Sequence, residues 1–127
     1  MKKFFILLMM LTSMITYAQQ EQAEIKFDKT VFNIGTFSEK SPVQTATFSF
    51  TNTGKAPLII NQAIASCGCT VPSYTKEPVK PGEKGTIKVT YNGKGKFPGH
   101  FKKSITIRTN GKIEMTRLYI EGEMKEE

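Results

Sequence analysis

Hydrophobic and polar positions alternate in short runs along most of the chain, and no stretch after residue 18 keeps the spacing of an amphipathic helix. Residues 43–51 are the clearest case. Ala46, Phe48 and Phe50 fall on one side, and Thr45, Thr47, Ser49 and Thr51 on the other. Period-two alternation of this kind predicts a strand with one buried and one wet face. The same pattern predicts strands over 86–91, with Ile87, Val89 and Tyr91 in phase, and over 101–109, with Phe101, Lys103, Ile105 and Ile107 in phase. A return strand carries Thr116, Leu118 and Ile120 and ends at Gly122.

The remaining runs are less regular. Residues 24–27 and 30–34 read as one broken first strand, and Leu58-Ile59-Ile60 as a strand covered on both faces. Alternation falters at Asn61-Gln62, as expected of a bulge or of a strand that changes sheets. Residues 71–85, with Pro72, Pro78 and Pro81-Gly82, read as a loop. Asn52-Thr53-Gly54-Lys55 is turn chemistry, and Asn110-Gly111 is a hairpin signal. About seven short strands in one domain predict an all-β fold, an immunoglobulin-like antiparallel β-sandwich.

The N-terminus has a different pattern. Lys2 and Lys3 precede a twelve-residue apolar run, Phe4 to Ile15, and Thr16-Tyr17-Ala18 offers a small-x-small cleavage site. A run of that length is too short to span a bilayer, which needs about 20 apolar residues. Residues 1–18 are therefore expected to be a signal peptide, followed by an N-terminal extension at 19–23, the sandwich at 24–122 and a charged, fraying tail at 123–127. The expected product is periplasmic or secreted and does not span the membrane after cleavage. Its 109 residues form one domain, large enough for a core without obligatory crosslinks.

Removing Lys2 and Lys3 lowers the formal net charge from +7 to +5. The excess is concentrated between Lys76 and Lys112, where ten Lys and Arg face two acids, Glu77 and Glu83. Such a region suits another envelope protein with an acidic surface or an anionic envelope component; it also suits lysines that guard strand edges. Nucleic acid is disfavoured by export and by the lack of a recognition-helix or RNA-binding signature. Lys94, Lys96, Phe97 and His100 lie in or next to the glycine-rich stretch 92–100, a candidate contact loop. That stretch lacks the G-K-[ST] ending of a phosphate-binding loop.

The only two cysteines stand one residue apart in Ser66-Cys67-Gly68-Cys69-Thr70. In an extended strand their Cα atoms would be about 6.6–6.8 Å apart, at the outer edge of disulfide geometry, but Gly68 can take φ > 0 and fold the segment into a turn. A disulfide so closed would constrain little unfolded chain. Three readings stay open: an inert pair, a dithiol–disulfide that exchanges with partners, with Lys76 among nearby cations, and two soft thiolates for Cu(I). Zinc would need four ligands, and the one histidine, His100, is far off in sequence. No catalytic constellation and no other cofactor site is apparent, and the chain is not expected to be an enzyme.

Several of these residues carry a resemblance. Asn52-Thr53-Gly54 with Pro57-Leu58, then Ser66-Cys67-Gly68-Cys69-Thr70-Val71-Pro72, Pro81-Gly82-Glu83, Gly99 before Phe101 and Thr109-Asn110 resemble the small exported bacterial domains catalogued as domain-of-unknown-function family fifteen-seventy-three, common in Bacteroidetes. Phe32-Asn33-Ile34-Gly35-Thr36 is similar to that family's F-x-F-G element, with Ile34 in place of the second aromatic. The resemblance spans residues 24 to 122. It implies a sandwich related to sperm-protein-like and pilus-chaperone-like modules, most of which bind other proteins, and it implies no established activity. Two functions therefore stand as expectations: an exported, non-enzymatic binding or structural module of the cell envelope, or a thiol redox or Cu(I)-binding protein acting through Cys67 and Cys69.

Overall fold

The computed structural model of the chain describes residues 21–127. The expected signal peptide lies outside the described residues. Within them the order is β1 (Ile25–Phe27), β2 (Val31–Ser38), β3 (Val43–Asn52), β4 (Ile60–Ala65), β5 (Thr70–Tyr74), β6 (Lys84–Asn92), β7 (Gly99–Thr109) and β8 (Met115–Lys125). They form two four-stranded sheets, β1-β3-β6-β5 and β2-β8-β7-β4. This is the immunoglobulin-like sandwich expected. Among the described residues no helix is long and apolar enough to cross a membrane.

The alternation read from the sequence is what builds the core. Ala46, Phe48 and Phe50 from β3 and Ile87, Val89 and Tyr91 from β6 face Ile105 and Ile107 from β7 and Leu118 and Ile120 from β8, all buried. Full burial of such a side chain contributes about 1.5–3 kcal/mol. Edge-to-face pairs tie peripheral strands to this centre: Phe27 on Phe50 at 5.8 Å and Phe32 on Phe48 at 6.0 Å between ring centroids. Tyr91 and Phe101 stack across the sheets at 4.0 Å and 9°.

The structure differs from the expectation in five places. The first strand is split at Asp28–Thr30, so β1 pairs antiparallel with β3 while β2 crosses to the other sheet and runs parallel to β8. There are thus eight strands and one parallel pair. Residues 70–74 are a strand, not a loop; Pro72 is tolerated because β5 is an edge strand with no outer neighbour. Ile59 is 39% exposed, so Leu58-Ile59-Ile60 is covered on one face only. The charged tail is strand as far as Lys125, because Glu123 pairs across to His100 and Met124 turns into the core. The extension reaches the core too: Ala23 is buried, and its carbonyl accepts the Lys112 N–H.

The break at Asn61-Gln62 is a bulge, and the change of sheets comes four residues later. The β4–β7 register slips between Ile60 and Gln62, and after Ala65 the chain leaves one sheet's edge for the other's. The cysteine motif is that crossing.

Candidate functional site

The crossing turn is held by backbone bonds that do not involve sulfur. On the β4 side the Ser66 N–H donates to the Ser104 carbonyl at 2.9 Å, and the Ser104 N–H donates to Ser66 Oγ at 3.2 Å. Within the turn the Thr70 N–H donates to the Cys67 carbonyl at 3.1 Å, which makes Cys67–Thr70 a β-turn. On the β5 side the Asn92 N–H donates to the Cys69 carbonyl at 2.8 Å. Gly68 is not among the residues with positive φ, so the turn closes without the left-handed backbone expected of it. A β-carbon added at Gly68 would meet no atom within 4 Å, which leaves the outer face of the turn open.

Cys67 and Cys69 are joined as a disulfide, with Cα atoms 5.2 Å apart. Turn formation explains the shortening from the extended spacing. The two sulfurs have different surroundings. Cys69 packs against the core and its Sγ lies 3.6 Å from Thr70 Oγ1, while the Cys69 N–H donates to Cys67 Sγ at 3.2 Å. Thr70 is 3% exposed and fixes the start of β5 opposite Tyr91. Ser66, Gly68 and Thr70 thus support the pair by anchoring, clearing and seating it in turn.

The cation expected near the pair is engaged elsewhere. Lys76 lies over the Tyr74 ring at 3.7 Å, beyond the far end of β5. The register instead brings Ser104 of β7 and Asn92 of β6 to the turn. Ser104 and Asn92 are not marked by the sequence pattern; only strand pairing places them here. In the disulfide form neither sulfur is a thiolate, so the pair fits Cu(I) only once reduced. Among the described residues no group of three or more His, Cys, Asp or Glu is placed to hold a metal ion.

The candidate contact loop is divided by the fold. Lys94 and Lys96 are exposed and Phe97 is 96% exposed at the tip. The loop is shaped locally, by the Lys94 N–H on Asn92 Oδ1 at 3.0 Å and the Lys96 N–H on the Gly93 carbonyl at 3.0 Å. His100 belongs to β7 instead, with Nε2 3.6 Å from Glu123 Oε2 in an exposed cross-strand pair. That partner, 23 residues away, is invisible to sequence proximity. The loop and the disulfide turn stand at one end of the sandwich, since Asn92 borders both.

Three solved structures share the architecture. A protein of unknown function from Porphyromonas gingivalis W83 is 16% identical with a TM-score of 0.66, covering 89% of this chain and 51% of its own. The chain therefore spans about half the length of that protein. A PapD-like domain of human CEP192 is 8% identical with a TM-score of 0.65, covering 91% of this chain and 96% of its own. The periplasmic chaperone SfaE is 9% identical with a TM-score of 0.57, covering 82% of this chain and 58% of its own. At these identities the likeness shows the fold alone. No curated protein matches the chain. One family does match, over residues 25–124, a span that includes the disulfide turn: the chain belongs to the family described as protein of unknown function (DUF1573).

Proposed function

We propose that the protein is an exported, non-enzymatic binding module of the bacterial cell envelope, and that the loop at residues 93–98 is where it meets its partner. The observation that carries this reading is Phe97. It is 96% exposed, whereas the other six phenylalanines after the expected signal peptide are buried or half-buried. A large apolar ring held in water between Lys94, Lys96 and the start of β7 suits a partner that covers the ring and supplies negative charge. An acidic envelope protein or an anionic envelope component has that chemistry. Support for export comes from the apolar run and cleavage pattern before Gln19, and the fold is one that a periplasmic chaperone also uses.

The test uses the full chain in a bacterial host, with a photo-crosslinking residue at position 97 or, as a control at the other end of β3, at position 55. Expected is an envelope product crosslinked from position 97 and absent from position 55. It should be lost when Lys94 and Lys96 are both changed to Glu. Equal crosslinking from both positions, or a chain retained in the cytoplasm with residues 1–18 attached, would overturn the reading.

A further inference from the structure

We infer that the Cys67–Cys69 disulfide is a thiol–disulfide exchange site in which Cys67 is the sulfur shared with a dithiol partner and Cys69 the resolving sulfur. The inference stands on the turn alone and does not depend on the contact loop. Four backbone and side-chain bonds fix the turn without help from sulfur, so opening the disulfide leaves the crossing in place. The bond spans a sequence separation of only two and restrains almost none of the unfolded chain, which makes it a poor stabilising device. It is half-exposed where the chain crosses from one sheet edge to the other, with open space outside Gly68. Access is one of the conditions under which sulfur reacts.

The asymmetry of the pair assigns the roles. Both residues are half-buried, but Cys69 packs against the core whereas Cys67 is not part of that packing. The Cys69 N–H points at Cys67 Sγ from 3.2 Å, an arrangement that stabilises negative charge on that sulfur when it becomes a thiolate. A partner thiolate attacks Cys67 Sγ; the Cys67–Cys69 bond breaks, its electron pair goes to Cys69 Sγ, and that sulfur takes up a proton. The partner's second thiolate then attacks its own sulfur in the mixed disulfide, and Cys67 leaves as a thiolate held by the Cys69 N–H. The partner departs oxidised by two electrons, which now reside in the Cys67 and Cys69 thiols. The reverse sequence reduces a partner disulfide and regenerates the bond seen here.

The experiment compares the full chain with Cys67→Ser, Cys69→Ser and the double serine variant, using glutathione and its disulfide as probes. Folded wild-type protein should be reduced by glutathione in its millimolar range with no change in far-ultraviolet circular dichroism. Cys69→Ser, which keeps Cys67, should form the glutathione mixed disulfide about threefold faster than Cys67→Ser at pH 7, the N–H at position 69 favouring the Cys67 thiolate and the lower nucleophilicity of a stabilised thiolate offsetting part of that gain. The double variant should fold and melt within about 10 °C of wild type. A disulfide that resists dithiothreitol in the folded protein, equal or inverted rates for the single variants, or a double variant that fails to fold would each overturn the inference. None of these outcomes bears on crosslinking from position 97.

Discussion

Asn52 is the residue on which the periphery of the sandwich depends most, and replacing it with Ala tests that directly. It is fully buried at the end of β3, and its amide is saturated. Oδ1 accepts the Gly54 N–H at 3.0 Å and the Glu24 N–H at 3.3 Å. Nδ2 donates to the Ala56 carbonyl at 2.8 Å and the Val79 carbonyl at 2.9 Å. One side chain thus pins the segment before β1, the β3–β4 connection and the β5–β6 connection. Gly54 has no side chain because a β-carbon there would lie 2.3 Å from the Gln22 carbonyl oxygen in the same knot. Each bond contributes about 1 kcal/mol net, and the Val79 carbonyl keeps a second donor in the Leu58 N–H. Asn52→Ala should therefore cost about 4 kcal/mol, a large share of the roughly 5–15 kcal/mol available to a domain. The melting temperature should fall by roughly 15–30 °C. The isosteric Asn52→Asp adds a sign. Its second oxygen faces two carbonyls, which raises its folded-state pKa above the unfolded value near 3.9. Relative to wild type that variant is least perturbed below about pH 4 and loses stability as pH rises through the raised value. Urea titrations at pH 4 and 7 measure both effects. Asn33→Ala is the control, since Asn33 is exposed and makes one bond, to the Gly35 N–H; it should lose about 0.5 kcal/mol. An Asn52→Ala loss within 1 kcal/mol of that control would refute the reasoning.

Two further predictions concern the core. A β-carbon at Gly85 would lie 2.4 Å from Phe50 Cζ, so Gly85→Ala should destabilise by about 1–3 kcal/mol. Combining it with Phe50→Leu, which frees that space, should be less costly than the two single changes added; strict additivity in denaturant melts would contradict the contact. Burial raises the Tyr91 phenol above its usual value of 10.0, so the folded state favours the neutral form. That contribution is complete below about pH 10 and is lost as pH rises through the raised value. Tyr91→Phe, which keeps the stack on Phe101, should flatten the alkaline decline in melting temperature above about pH 10. An unchanged decline would contradict it.

How much of this was legible depends on the range of the cause. Phe48 and Ile107 could be assigned to the core because alternation is a local property and the sheet keeps it. Edge elements were harder. Pro72 resembles a strand breaker, and β5 was missed because only the sheet order shows that its outer side needs no partner. Glu123 reads as the start of a solvated tail, but it faces His100 across the ladder while Gly122 and Met124 on either side turn inward. The Asn110-Gly111 hairpin formed with a longer connection, because the Asn110 side chain is taken up by the Ile59 N–H and the Pro57 carbonyl, 51 and 53 residues away. The cysteine motif was legible as a local device, since residues i and i+2 cannot bridge the two sheets. Its position at the crossing between sheet edges was not, because that follows from β4 and β5 pairing with strands on opposite sheets. The same long-range pairing brings Ser104 and Asn92 to the turn and decides which sulfur rests on the core. Residue spacing therefore says that the sulfurs can meet, and strand order says which of them packs against the core.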